Sequence, residues 1–123
     1  MSKNILIVKG GYSDEAEVSR KTADNVNNAL ITKGYKTKMI EVDDQFLPWL
    51  LNNKKDVDII FNALHGPWGE DGKIQGLFEY LRIPYTHSGV TASALGMNKQ
   101  LSKNIFNSNK ITVPKGIIVN KNL

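Results

Sequence analysis

A histidine, two adjacent carboxylates and three glycines fall within eight residues of this chain, in "HGPWGEDG" (65–72). The stretch directly follows the apolar run "VDIIFNAL" (57–64). A second glycine loop, "KGGYSDEAEVS" (9–19), begins just after the apolar run Ile5 to Val8 and carries Asp14, Glu15 and Glu17. Both loops leave the carboxyl ends of predicted strands, and open parallel sheets bind their ligands beyond those ends.

The first loop does not suit a dinucleotide. No third glycine follows Gly10 and Gly11 at the spacing of a G-x-G-x-x-G turn. A phosphate also needs bare amides at a helix N-terminus, and three carboxylates crowd this one. A ligand amine is the better match. Asp14 and Glu17 together can form a capping box, which leaves Glu15 free to face a ligand. In the second loop, Asp71 can cap the helix that begins near Lys73, and Gly66, Gly69 and Gly72 can serve turn geometry. His65 stands at the end of a buried strand, where a ring can be held rigidly toward the ligand crevice; the ordinary alternative is a structural histidine. His87 is the only other histidine and there is no cysteine. A metal site is therefore not expected, and no Ser/His/Asp order indicates a nucleophile.

The elements that must position these residues alternate in type. Ile5–Val8 reads as a strand buried on both faces. A helix is expected from Glu15 to Lys33, with Val18, Val26, Ala29 and Leu30 at helical spacing and Gly34 ending it. Residues 35–42 read as a more exposed strand, 45–53 as a short apolar helix or turn, and 56–64 as a central strand. Ile74, Leu77, Phe78 and Leu81 form one buried stripe on a helix over 73–82. A short strand in "IPYTHSG" (83–89), one or two helices over 90–109 broken near Gly96, and a last strand centred on Ile117 to Val119 complete the order. Alternation of this kind implies a three-layer, Rossmann-like open parallel sheet with flanking helices and right-handed crossovers.

The 123 residues form one domain's length, with 41% hydrophobic residues and a net charge of +4. The absence of cysteine excludes a disulfide scaffold and fits a reducing compartment. The apolar runs are too short for a membrane span or a signal peptide. Basic residues are scattered rather than gathered in a stripe with aromatics, so nucleic-acid binding is not expected.

Several segments, taken in order, resemble a known family. "ILIVKGGYSDEAEVS", "ALHGPWGEDGKIQGLFEYLRIPYTHSGVTASALGMNKQLSK" and "ITVP" are similar to the N-terminal region of D-alanine–D-alanine ligases, which are ATP-grasp enzymes. The resemblance implies that residues 1–123 are the N-terminal, pre-ATP-grasp α/β domain, followed by ATP-grasp domains. It implies a cytoplasmic, homodimeric enzyme that joins two D-alanines for peptidoglycan through an acyl phosphate. ATP and Mg²⁺ (or Mn²⁺) would be its cofactors, with the metal ligands outside this chain, and the isolated chain would be inactive. By the same resemblance Glu15 is a catalytic and substrate-binding residue near the amino group of the first D-alanine. His65 is substrate-binding, Lys99 contacts nucleotide phosphates, and Glu70 and Asp71 support the loop. The sequence departs from the family pattern at Ala16, where arginine is frequent, at His87, where glycine is usual, and at Asn98, where aspartate is common. The residues alone leave a second reading open, a stand-alone non-catalytic α/β module that binds a small ligand or a partner. Its apolar contact residues would be Trp49, Leu50 and Leu51, or the helix around Phe78.

Overall fold

The computed structural model describes residues 3–119. Three parallel strands form the sheet: β1 (Asn4–Lys9), β2 (Lys36–Glu41) and β3 (Ile59–Asn62), in the order β2-β1-β3. The helices are α1 (Ala16–Thr32), α2 (Phe46–Asn53), α3 (Lys73–Tyr80), α4 (Val90–Met97) and α5 (Lys99–Ser108). A single turn of 3-10 helix (Lys54–Asp56) leads from α2 toward β3.

The central strand explains the layering. Side chains alternate along a strand, so β1 sends Leu6 and Val8 to one face and Ile5 and Ile7 to the other. Leu6 and Val8 join Phe46 and Leu50 of α2 and Phe78 of α3, together with Ile60, Leu64 and Ile83. Ile5 and Ile7 pack with Ala23 of α1 and with Ala63, bordered by Val26 and Leu30. Both faces of β1 are thus covered, as its unbroken apolar run requires. Each such side chain, fully buried, contributes roughly 1.5–3 kcal/mol of transfer free energy.

Two expectations need correction and a third is sharpened. The strand expected in 83–89 is reduced to one parallel bridge between Ile60 and Tyr85, in which Ile60 N–H donates to Pro84 O and Thr86 N–H to Ile60 O. The last strand does not form. Residues 111–119 carry no regular structure, and Ile117, Ile118 and Val119 are exposed; no ladder hydrogen bond on the described residues holds them, and three apolar residues cannot make a strand without a partner edge. The helical region does break near Gly96, but the residue between the two helices is Asn98, and Gly96 itself lies inside α4. Asn98 is extended, and its side-chain oxygen accepts the Leu101 N–H at 3.0 Å. Its carboxamide therefore caps α5 by itself.

The apolar residues offered for an alternative contact surface are also sorted. Leu50 and Phe78 are wholly buried, whereas Leu47 and Leu51 stay exposed on α2. Phe78 fixes α3, and with it the loop ahead of that helix, onto the sheet. Phe78→Ala is expected to lower the unfolding free energy by about 3–5 kcal/mol, read as a shift of the urea midpoint without a change of slope.

Candidate functional site

The two glycine loops meet beyond the carboxyl ends of β1 and β3. A wholly buried hydroxyl joins their bases. Ser19 Oγ donates to Ala63 O at 2.8 Å and accepts the Gly10 N–H at 2.9 Å. Above it, Ser13 Oγ donates to His65 O at 2.7 Å and accepts the Glu15 N–H at 3.2 Å. The capping box of Asp14 and Glu17 does not form. Glu15 is the residue before α1, no side-chain bond caps the helix, and Glu17 pairs with Arg20 at 3.4 Å. Helix α1 begins one residue later than such a box requires, with Glu15 and not Asp14 at its N-cap and the Ala16 N–H bonded to Ser13 O.

Glu15 is exposed, and its carboxylate lies over Gly66. A β-carbon built on Gly66 would stand 2.4 Å from Glu15 Oε2 and 3.2 Å from Ser13 Oγ, and Gly66 itself has φ +73°. Only glycine accommodates both the left-handed backbone and the close approach. His65 follows the end of β3 with its side chain about one-third exposed. Its Nε2 is 2.8 Å from Thr22 Oγ1 on α1, and its Nδ1 faces Glu70 Oε1 at 3.9 Å. The other oxygen of Glu70 accepts the Gly66 N–H at 2.8 Å.

Asp71 ties the rest of the loop. Its carboxylate accepts the N–H groups of Trp68 (3.0 Å) and Lys73 (3.2 Å) and contacts the Lys73 ammonium. Partial burial pushes this carboxyl up, but the Lys73 side chain and the two N–H donors together outweigh it and hold the group below the usual aspartate value. Trp68 sits at φ +73° at the loop tip, with the Lys73 ammonium 4.7 Å from its ring centre.

A cleft of about 550 Å³ opens beside His65, its lining including Thr22, Phe61, Gln75, His87, Ser93 and Met97. His87 meets Phe61 edge-on, with ring centres 5.2 Å apart, and holds φ +75°. Glycine takes that conformation without the steric cost a histidine bears. Lys99 is not among the residues that line this cleft. It is exposed at the first turn of α5, two residues after Met97.

The Glu15 carboxylate therefore lies against the residue that follows His65. Among the described residues Glu15 makes no ion pair, and a carboxylate over Gly66 with an imidazole on the preceding residue offers partners for the two ends of an amino acid, ammonium and carboxyl. Ser13, Thr22, Asn62 and Gln75 were not singled out from sequence. Glu15, Ser19 and Thr22 do recur at i, i+4 and i+7, one helix face. Asn62 and Gln75 gave only the weak signal of polar residues within apolar patterns. Among the described residues no three His, Asp or Glu side chains gather as donors for a metal ion.

Residues 50–88 match the family model described as D-ala D-ala ligase N-terminus. The chain is 49% identical over 120 residues to a D-alanine–D-alanine ligase of Pelagibacter ubique, covering 98% of this chain and 39% of the relative. It is 44% identical over 121 residues to one of Methylorubrum populi, again covering 98% and 39%. A solved D-alanine–D-alanine ligase of Bacillus anthracis, complexed with ATP, superposes with a TM-score of 0.82 at 34% identity, over 93% of this chain and 38% of that one. The chain thus spans about two-fifths of the length of the curated relatives it matches.

The loop's dependence on Asp71 has a sign. A carboxyl held low in the fold stabilises it above the ordinary aspartate value of about 4, and that contribution is lost as pH falls through the folded value. Asp71→Asn is expected to cost about 1 kcal/mol near neutral pH. The difference from the unaltered chain should shrink on acidification, as read from urea midpoints at the two pH values.

Proposed function

We propose that this chain, a homologue of the N-terminal region of D-alanine–D-alanine ligases, supplies one wall of the amino-acid site of an ATP-dependent ligase that joins two D-alanines. The observation that carries the reading is the meeting of two separate strand-end loops, which sets Glu15 against the residue that follows His65. The Glu15 carboxylate receives the ammonium of the first D-alanine. The His65 ring, steadied by Thr22, faces its carboxyl end, where charge builds as an acyl phosphate forms and the second amine attacks. Asp71 acts on the loop, its oxygens engaged by backbone N–H groups and Lys73, and Glu70 supports the same loop, one oxygen on the Gly66 N–H and the other facing the His65 ring.

Lys99 is assigned to the nucleotide phosphates. A mobile ammonium neutralises charge in phosphoryl transfer, and its exposure on α5 leaves it free for a nucleotide held mainly by other parts of the enzyme. No step through Mg²⁺ is assigned to this chain, whose described residues offer no donor cluster for it. No helix among the described residues is long and apolar enough to cross a membrane. The proposal sets the enzyme in the cytoplasm, where its dipeptide would enter peptidoglycan synthesis. It also includes self-association, for which Leu47 and Leu51 remain exposed on α2.

In the full-length enzyme that contains this chain, Glu15→Gln is expected to lower kcat/KM for the first D-alanine roughly 10- to 100-fold, the loss of one charge-assisted hydrogen bond. His65→Ala should lower kcat. Lys99→Ala should instead raise KM for ATP. Steady-state kinetics with each substrate varied separates the three, and unchanged rates in both Glu15→Gln and His65→Ala would remove the site. Assayed alone, residues 1–123 should release no ADP from ATP and D-alanine.

A further inference from the structure

We propose that Gln75 is a positioning residue for His65, acting through the carbonyl of Gly69. The proposal deepens the reading of His65 as a ligand-facing residue and rests on it. Gln75 belongs to α3 and is 3% exposed. Its Nε2 donates to Gly69 O at 2.9 Å, and the side chain of Asn62, 5% exposed at the end of β3, donates to the same oxygen at 2.9 Å. Both lone pairs of one loop carbonyl are thus held by buried carboxamides from two different elements.

The choice of residue at position 75 is not explained by packing. Gln75 Oε1 is buried with no hydrogen-bond partner among the described residues. A buried acceptor left unpaired is unfavourable, and an apolar side chain of similar size would avoid it. What glutamine gains is the bond to Gly69. That bond reaches His65 in a few steps. Asn62 Oδ1 accepts the Leu64 N–H at 3.2 Å, fixing the residue before His65. Gly69 N–H and Glu70 N–H both donate to Gly66 O, fixing the residue after it. Gly69 presses on Leu64 so closely that a β-carbon there would stand 2.4 Å from Leu64 Cβ. With the Gly69 carbonyl held, the turn cannot drift, and the His65 ring stays on Thr22.

The test uses nuclear magnetic resonance on the 123-residue chain. Gln75→Leu should raise the mobility of the His65 ring and speed amide exchange at Gly69 about fivefold, the effect of one net hydrogen bond. The melting temperature should change little, because the unpaired acceptor is removed too. Gln75→Glu gives a comparison within one protein. When protonated, the new carboxyl can donate to Gly69 O and restore the loop; when ionised, it repels that oxygen and frees it. Glu15, His65, Glu70, Asp71, Lys73 and His87 also face this region, so the unaltered chain at each pH is the reference. The expected result is a His65 ring that matches the reference at acid pH and becomes mobile as pH rises. A ring as fixed as the reference in Gln75→Leu, or in Gln75→Glu at every pH, overturns the proposal. Failure of the ligase reading would appear separately, as unchanged D-alanine kinetics in His65→Ala with the ring behaviour intact.

Discussion

The hydroxyl of Ser19 governs the geometry of this protein. Buried completely, it donates to the carbonyl that follows β3 and accepts the amide that follows β1. Two strand ends in a parallel sheet would otherwise leave unpaired backbone groups beneath their loops, at a cost of about 1–3 kcal/mol for each buried group. One side chain on α1 satisfies both. It also fixes the helix in rotation, and that rotation brings Glu15 and Thr22, one turn to either side, over the loop that begins with His65.

The loops then bond to each other in layers. Ser13 spans from the first loop to the His65 carbonyl, Thr22 meets the ring, and the glycine at 66 lets a carboxylate lie close over its backbone. Beneath this, the aromatic and aliphatic core of α2 and α3 holds the sheet's other face. The apolar packing sets where α3 lies, and the buried carboxamides of Asn62 and Gln75 convert that placement into a fixed loop. The loop conformation depends on burial at one remove, through a backbone carbonyl that two polar side chains hold.

Much of the scaffold was legible. The unbroken apolar run at Ile5–Val8 announced a central strand because both its faces need cover, and the stripe of Ile74, Leu77, Phe78 and Leu81 announced α3 because its spacing fits one helix face. Other parts were not. Ile117–Val119 reads as a strand by composition, yet a strand exists only with a neighbour to share its hydrogen bonds. Asp14 and Glu17 have the spacing of a capping box, but α1 starts at Ala16 with Glu15 at its N-cap, and spacing alone does not fix the residue at which a helix begins. A break near Gly96 was legible, but not that the extended backbone and capping side chain of Asn98 make it.

By itself, the sequence determined the alternation of elements, the double-sided burial of β1 and the presence of a carboxylate and an imidazole in loops at strand ends. Those properties follow from local periodicity and from the chemistry of single residues. Only the tertiary structure decided that Glu15 lies against the loop that begins with His65, while Lys99 stays outside the cleft lining. Fifty positions separate Glu15 from His65 along the chain, and their approach depends on the rotation of α1 and on hydroxyls whose partners lie on other elements. Hydrogen bonds of that kind leave no periodic trace in a sequence, since any serine or threonine offers the same groups and only the fold selects which of them is used.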